Sequence, residues 1–271
     1  MNDTPDRGTI ADPRDQCIAA IRRLAQQEHH QRQAPFLVEG ISLLQMALEA
    51  GVRPLAILYC QEQAAAAGAM ALVQRFRQAN VETLSVSARV MHALSERSVP
   101  QGILASFRPF WTTLDALSPA AHALIPVLDD VQDPGAVGTL IRTADAVDAT
   151  AVVLGAGSAD PFDPKAVRGS MGSLFNVPLV QAANLSDNLA LLQRQGFQRI
   201  GICSQAKESW GRGVLTGRVA LVLTSEQKHH PPQRQDELDR MLSIPHIDQP
   251  LDTAIAGSIA MYAWLQENMA R

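Results

Sequence analysis

Short apolar runs alternate with segments of helical periodicity along the chain. In the first part, such runs predict four strands, at residues 36–39, 54–60, 81–86 and 103–108. Apolar positions three and four residues apart predict four helices, at residues 17–27, 40–50, 64–80 and 88–94. A chain in which strands and helices alternate in this way belongs to the α/β class.

The same alternation resumes at residue 124. Here the apolar runs predict five strands, at residues 124–128, 151–154, 177–180, 199–203 and 219–223. Helical spacing predicts three helices, at residues 137–147, 185–194 and 253–268. Because strands that alternate with helices usually pair in parallel and are covered on both faces, a mostly parallel sheet is expected. The stretch 109–123 is irregular and contains two prolines, which indicates a linker.

The predicted organisation is a flexible N-terminus, a first domain, a linker and a second domain, at residues 1–14, 15–110, 111–123 and 124–271. With 271 residues, of which 46% are hydrophobic and 18% charged, the chain can form two modest domains with a sizeable core. Its net charge of −4 gives no general support for nucleic-acid binding, although a local basic patch is compatible with it.

The cysteines and the lengths of the apolar runs indicate in which cellular compartment the protein is found. Cys17, Cys60 and Cys203 are far apart and odd in number, which favours free thiols in a reducing cytoplasm over a disulfide framework or a metal cluster. No apolar run is long enough to span a bilayer, and the polar, acidic start is unlike a targeting signal. A cytoplasmic protein without a membrane segment or a metal is therefore expected.

The most informative stretch is DDVQDPGAVGTLIRTADA, residues 129–146, which lies between a predicted strand and a predicted helix. Asp133, Gly135 and Gly138 predict a loop that turns sharply and approaches a ligand closely. Arg142 follows near the start of the helix, where its guanidinium can hold a phosphate or a carboxylate by two hydrogen bonds. The alternative is that Arg142 only solvates a surface helix.

Two further segments follow predicted strands, where ligands bind in α/β sheets. VALVLTSE, residues 219–226, ends in Glu226, and a carboxylate beside an apolar strand usually has a partner, for which Arg142 is a candidate. The proline-containing loop 243–252 leads into the last helix, and Asp252 stands where the N-cap of that helix is expected.

Two other motifs carry weaker signals. His229 and His230 precede two prolines in a polar loop, so both side chains are expected to be solvated, and no third ligand for a metal lies nearby. Gly155 and Gly157 form a Gly-x-Gly pair without the third glycine of a dinucleotide-binding fingerprint, so NAD binding is not expected.

Taken in order, these loops resemble the SpoU (TrmH-type) branch of the SPOUT RNA methyltransferases. The similar segments are DPGAVGTLIRTADA (133–146), KAVRGSMGSLFNVPLV (165–180), VALVLTSE (219–226), IPH (244–246) and PLDTAIAGSIAMY (250–262). Upstream, FLVEGISLLQMALEAG (36–51) and VPQGILASFRPF (99–110) resemble the small ribosomal-protein-like domain that often precedes the catalytic domain and helps to bind RNA. RNA contacts there are expected from Arg22, Arg23 and Arg32, with a solvated helix face as the alternative.

The resemblance implies a C-terminal α/β-knot, with a mostly parallel sheet and a deep trefoil knot. A small α/β RNA-binding domain would precede it in the chain. The resemblance also implies a homodimer that holds S-adenosylmethionine in the knot, mainly by backbone atoms. The cofactor would lie against four residues, namely Ser204, Thr224, Ile244 and Leu251. The implied reaction is methyl transfer to a ribose 2′-hydroxyl of ribosomal or transfer RNA. Arg142 would fix the RNA phosphate, and Glu226 would orient the arginine or the loop.

The chain departs from the family pattern at five positions, namely Ala136, Thr224, Gln227, Pro250 and Asp252. These changes remove an asparagine amide, two glycines and a serine hydroxyl, and exchange a second amide for a carboxylate. Two hypotheses follow: an active RNA 2′-O-methyltransferase with a remodelled site, or an inactive homologue that serves as a dimeric RNA-binding or scaffold protein. Methyl transfer to another acceptor is a further alternative to these two. Retention of Arg142 and Glu226 favours the enzyme.

Overall fold

The computed structural model describes residues 9–16, 18–19, 21, 35–95, 97–225 and 230–269. The chain divides into two units, Met1–Pro109 and Phe110–Arg271, each with its own sheet. No helix among the described residues has the length and apolar character needed to cross a membrane. Cys60 and Cys203 are buried and form no disulfide.

The first unit contains a four-stranded sheet. Its strands are β1 (Phe36–Glu39), β2 (Ala56–Tyr59), β3 (Glu82–Ser85) and β4 (Ile103–Phe107). They lie in the order β1-β4-β2-β3, with β4 antiparallel to both neighbours and β2 parallel to β3. The helices are α1 (Ile41–Glu49), α2 (Gln61–Ala66), α3 (Met70–Gln78) and α4 (Ala88–Leu94). All four predicted strands are confirmed, with small differences at their ends.

In this unit one predicted helix is divided into two, and another is described only in part. The single helix expected at residues 64–80 is wrong, because the chain forms α2 and α3 instead. Gly68, at φ 75°, takes the left-handed conformation that ends a helix, and the apolar periodicity continues across this break. Of the helix expected at 17–27, residues 18, 19 and 21 are helical, and Ile18 and Ile21 are buried. The other residues of that segment, and Arg22, Arg23 and Arg32, lie outside the described residues.

The second unit contains a seven-stranded sheet in which every described pairing is parallel. Its strands are β5 (Ala123–Asp129), β6 (Val152–Leu154), β7 (Leu179–Gln181), β8 (Gln198–Ile202), β9 (Glu208–Ser209), β10 (Arg218–Thr224) and β11 (Arg240–Ser243). They lie in the order β7-β6-β5-β10-β8-β11-β9. The parallel sheet expected from strand–helix alternation is therefore confirmed.

Helices cover this sheet on both faces. They are α5 (Pro134–Ala146), α6 (Pro164–Gly169), α7 (Leu185–Arg194), α8 (Pro232–Asp236) and α9 (Thr253–Met269), with 3-10 turns at Leu114–Ala116 and Ser173–Phe175. On one face, buried residues of α7 join those of the central strands in a single apolar cluster. On the other face, α9 packs on α5 and on β10.

Two strands and two helices of the second unit were not predicted from the sequence. Strands β9 and β11 have only two and four residues and lie at the edge of the sheet. Short edge strands are too polar to show the apolar run of a central strand. Helices α6 and α8, of six and five residues, are too short to show helical periodicity.

Residues 111–123, expected as a linker, pack against the second sheet. Thr112 donates a backbone hydrogen bond to the Leu179 carbonyl at 2.8 Å, and Leu114 is buried. The Arg218 guanidinium donates to the carbonyls of Pro119 and Ala120. This segment is irregular because its backbone is held by single contacts of this kind, and not by a continuous ladder.

Candidate active site

A pocket lies at the carboxyl ends of the neighbouring central strands β8 and β10. Three segments line it, contributing Ile202, Cys203, Ser204, Leu223, Thr224, Ser225, Pro250, Leu251, Thr253 and Ala256. It encloses about 460 Å³, including the part open to solvent. Since parallel strands bring their following loops to one edge, segments far apart in the chain meet here.

Three of the four residues expected to hold a cofactor line this pocket. They are Ser204 after β8, Thr224 at the end of β10 and Leu251 before α9. Ile244 is half-buried directly after β11, a strand nearer the edge of the sheet, and is not among the lining residues. The geometry thus brings Ser204, Thr224 and Leu251 together and leaves Ile244 outside the pocket wall.

The pocket wall combines apolar side chains with hydroxyl groups. Ile202, Leu223 and Leu251 supply apolar surface, and the described lining residues carry no charged side chain. The hydroxyl of Thr253 donates to the carbonyl of Thr224 at 2.8 Å, so the start of α9 is bonded to the end of β10. Such a wall suits a ligand with a flat apolar part and groups that bond to hydroxyls and backbone amides.

Asp252 has the capping role expected from the sequence. Its Oδ1 accepts a hydrogen bond from the Ile255 amide at 2.8 Å, and its carbonyl accepts from Ala256. The carboxylate thereby satisfies one of the free amides in the first turn of α9, where a negative charge is also favourable. Asp252 stands where the family pattern has an asparagine, and it still caps the helix.

The first motif is more helical than expected. Helix α5 begins at Pro134, three residues before the expected start, and Asp133 caps it by accepting a hydrogen bond from the Ala136 amide at 2.9 Å. The expectation that Gly135 and Gly138 lie in a turning loop is wrong, because both belong to α5. A Cβ at Gly138 would collide with the Ala166 carbonyl and lie 3.0 Å from the Gly169 Cα. Gly138 is needed for the close approach of α5 and α6.

Arg142 was expected near the start of the helix, but it lies in the second half of α5, because the helix begins at Pro134. It is on the exposed side of α5 and forms no hydrogen bond or ion pair with another described residue. The next residue, Thr143, shares a hydrogen bond of 2.9 Å with Ser258 on α9, so Arg142 stands beside the contact between these helices. Glu226 and Gln227 lie outside the described residues. The pairing of Arg142 with Glu226 stays a prediction.

A cluster of charged groups on the α7 face of the same sheet edge was not found from the sequence. Arg234 Nε donates to Asp129 Oδ2 at 2.9 Å, and Arg234 also pairs with Glu237 and reaches the hydroxyl of Ser186. Asp129 ends β5, whereas Arg234 is in α8, so their 105-residue separation hides the contact from any local pattern.

His230 belongs to this cluster, and the expectation that it is solvated is wrong. Its side chain is buried, with 1% of the residue exposed. A Cβ on Gly201 would lie 3.2 Å from His230 Nε2, so the glycine in β8 makes room for the ring. The Nδ1 atom is 4.0 Å from Asp129 Oδ2, and neither ring nitrogen has a hydrogen-bond partner among the described residues.

Burial lowers the pKa of His230 because the charged imidazolium loses its hydration. The Asp129 carboxylate opposes this effect and the Arg234 guanidinium adds to it. The ring is therefore neutral near pH 7. His229 lies outside the described residues, and no group of three metal-binding side chains occurs within the part of the chain that the structure describes.

Comparison with known proteins adds independent information. A family model described as the SpoU rRNA Methylase family matches residues 123–262, and one described as an MRM3-like substrate binding domain matches residues 15–105. The 23S rRNA (guanosine(2553)-2′-O)-methyltransferase RlmP of Bacillus subtilis is 28% identical over 255 residues, covering 93% of this chain and 97% of its own. An uncharacterised tRNA/rRNA methyltransferase of Synechocystis is 28% identical, covering 96% of this chain and 94% of its own.

Solved structures agree with this match. An rRNA methyltransferase from Sinorhizobium meliloti superposes with a TM-score of 0.85 at 25% identity, covering 96% of this chain and 97% of that one. The AdoMet-bound structure from the same organism gives a TM-score of 0.83 at the same identity and coverage. The likeness therefore extends over both units of the chain.

Proposed function

The chain belongs to the SpoU rRNA methylase family, and from this premise we propose that it is an S-adenosylmethionine-dependent 2′-O-methyltransferase of ribosomal or transfer RNA. One observation carries the proposal: three separate segments meet in a pocket at the ends of β8 and β10. Three of the four residues expected at the cofactor, Ser204, Thr224 and Leu251, line it.

The pocket fits the chemistry of this cofactor. The apolar side chains of Leu223 and Leu251 suit the face of an adenine, and the wall offers hydroxyl groups at Ser204 and Thr224. Its described lining is uncharged, which suits a nucleoside joined to an amino acid better than a nucleotide with phosphates. When bound, S-adenosylmethionine supplies the methyl group on its sulfonium.

The residues of the chain supply positioning and charge. In this proposal Arg142 holds an RNA phosphate by its guanidinium, and its charge lowers the pKa of the attacking ribose hydroxyl. Glu226 orients Arg142 or its loop. Correct placement of two reacting groups can supply about 7–11 kcal/mol, so exclusion of misaligned poses is the main contribution expected of this site.

The proposal includes a knotted homodimer. Support for the knot is that Pro250 and Leu251 line the same pocket as Ser204 and that Thr253 bonds to Thr224, so the segment entering α9 lies against the ends of two central strands. Support for the dimer is an apolar stripe on α9, formed by Ile255, Ile259 and Tyr262, which are 49%, 42% and 56% exposed. Exposed apolar stripes of this kind mark protein interfaces.

We assign residues 15–110 to RNA substrate binding and residues 124–271 to methyl transfer, with the protein in the cytoplasm. The match of residues 15–105 to a substrate-binding domain supports the first assignment. An inactive, RNA-binding homologue is the second candidate. It is favoured by Thr224 and Pro250, since these replaced family positions both line the pocket and add side-chain bulk there.

Calorimetric titration of the full chain with S-adenosylmethionine separates these candidates without knowledge of the RNA. Micromolar binding is expected for the enzyme, and transfer of the labelled methyl group to ribosomal or transfer RNA should follow. Absence of binding at millimolar cofactor would support the inactive homologue. The variant Leu251→Arg, which puts a charge in the pocket wall, should lose binding, whereas Ile247→Arg at a fully exposed position should keep it.

A further inference from the structure

The loop between β8 and β10 begins in the pocket wall and is held firmly at both ends. Cys203 and Ser204 line the pocket, and β9 then pairs with β11. The Trp210 amide donates to the Ser243 carbonyl at 2.9 Å, which extends this pairing by one residue. Residues 205–213, named here the β8–β10 loop, therefore run from the pocket wall along the edge of the sheet towards the start of β10.

The far end of the β8–β10 loop is bonded to the last helix. The Glu267 carboxylate accepts hydrogen bonds from the amides of Gly213 and Leu215, both at 2.9 Å. Asn268 Oδ1 accepts from the Gly217 amide at 2.9 Å. Because both ends are fixed by backbone hydrogen bonds, the loop loses little conformational entropy when a partner binds to it.

The exposed side chains of this loop carry positive charge around an aromatic ring. Lys207 and Arg212 are exposed and have no ion pair or hydrogen bond with another described residue, and Trp210 between them is half-buried. The acidic residue of the loop, Glu208, is paired with Arg240, which also lowers the pKa of the Glu208 carboxyl. The loop thus presents two cations that form no ion pair with another described residue, in a chain of net charge −4.

This combination is typical of surfaces that bind single-stranded nucleic acid. Aromatic rings stack on unpaired bases, while lysine and arginine contact the phosphates on either side. The loop is also close to the site of the proposed reaction: β9 lies two strand spacings, about 10 Å, from β8 across the sheet. A nucleotide adjoining one bound at the pocket can reach it.

We propose that the β8–β10 loop binds single-stranded RNA next to the target nucleotide, with Trp210 stacked on a base and Lys207 and Arg212 on phosphates. The inference rests on the proposed function, because it places RNA at this edge of the sheet. It assigns the catalytic domain its own RNA contacts, in addition to those expected of the first domain.

Binding of a fluorescein-labelled decauridylate to the full chain, followed by anisotropy, tests the aromatic contact. Trp210→Ala should weaken binding about tenfold, the effect of losing one stacked base. Trp210→Phe, which keeps a ring, should recover most of the affinity. Equal affinity of wild type and Trp210→Ala would overturn the proposal.

The salt dependence of the same binding tests the two cations. For single strands, each phosphate contact adds about 0.7 to the slope of log K against log salt, so the double variant Lys207→Ala, Arg212→Ala should reduce it by about 1.4. Arg194→Ala removes an exposed cation on α7, away from the loop, and should leave the slope unchanged. A double variant with the wild-type slope would contradict the phosphate contacts.

Crosslinking with a 4-thiouridine decamer locates the contact directly. A crosslinked peptide containing Trp210 is expected, and crosslinks confined to the first unit would overturn the proposal. The cofactor titration keeps the two hypotheses apart, because the loop variants should bind S-adenosylmethionine as wild type does. If wild type itself fails to bind it, the proposed function fails, whatever the oligonucleotide shows.

Discussion

The two faces of the second sheet are built differently at its carboxyl edge. On the α9 face, uncharged side chains surround an open pocket, and one hydrogen bond, from Thr253 to Thr224, joins two of its walls. On the α7 face, Arg234 bonds to Asp129 over a buried His230. The same strands, β8 and β10, thus border an open side that can admit a ligand and a closed side held by charge.

This difference indicates a division of labour. Strand β10 ends in the pocket at Thr224, and the chain is buried again at His230, six residues later. We therefore expect changes on the α7 face to act on stability and changes on the α9 face to act mainly on cofactor binding.

Loss of the ion pair on the closed side should have the largest effect. Asp129→Ala leaves the Arg234 guanidinium, only 14% exposed, without its strand partner, and should cost about 3 kcal/mol of unfolding free energy. Urea denaturation measures this. Arg240→Ala removes the more exposed pair with Glu208 and should cost less than about 1 kcal/mol. Equal losses of unfolding free energy in the two variants would show that the ion pair on the α7 face contributes no more than the exposed one.

Overpacking the contact of β8 with Leu238 and His230 should have the next largest effect. Gly201→Ala places a Cβ 2.6 Å from Leu238 Cδ1 and 3.2 Å from His230 Nε2, so both side chains must shift. We expect a loss of about 1–2 kcal/mol. Gly211→Ala, with no atom within 4 Å of the added Cβ, is the matched control and should be close to neutral. Denaturation midpoints of the two variants distinguish them.

On the open side, Thr253→Val should change binding more than folding. It removes the hydroxyl that donates to the Thr224 carbonyl, a contribution of about 1 kcal/mol to stability. The pocket wall is then free to move, and calorimetry should show about tenfold weaker binding of S-adenosylmethionine. Thr253→Ser keeps the donor and should restore most of the affinity. Wild-type affinity in Thr253→Val would show that this hydrogen bond does not hold the pocket wall in place.

The smallest effect is a pH dependence on the closed side. Because burial lowers the pKa of His230, the unfolded chain takes up a proton more readily than the folded one. Stability should therefore fall as the pH drops below about 6.5, the ordinary value, towards the folded pKa. Denaturation midpoints at pH 7.5 to 5 should show this slope, and His230→Gln should reduce it. The exposed His246→Gln should retain it.

Local patterns predicted most of the regular structure. Strand β1 and helices α4 and α7 have the predicted bounds, and the other predicted strands differ from theirs by at most two residues at either end. These elements are specified by alternation or helical spacing within a dozen residues, which the sequence displays directly. The cap at Asp252 follows the same logic, since its carboxylate bonds to an amide three residues ahead, whereas the cap at Asp133 was not predicted.

The sequence by itself therefore determined the element types, the parallel sheet, the family motifs and the cap at Asp252, because each depends on neighbouring residues. Only the tertiary structure decided which distant residues meet. The strand order β5-β10-β8 brings Ser204, Thr224 and Leu251 into one pocket and leaves Ile244 outside it. It also buries His230 above Gly201 and sets Gly138 against α6. The order of the strands in the sheet differs from their order along the chain. The order in the sheet therefore decides which segments become neighbours in space.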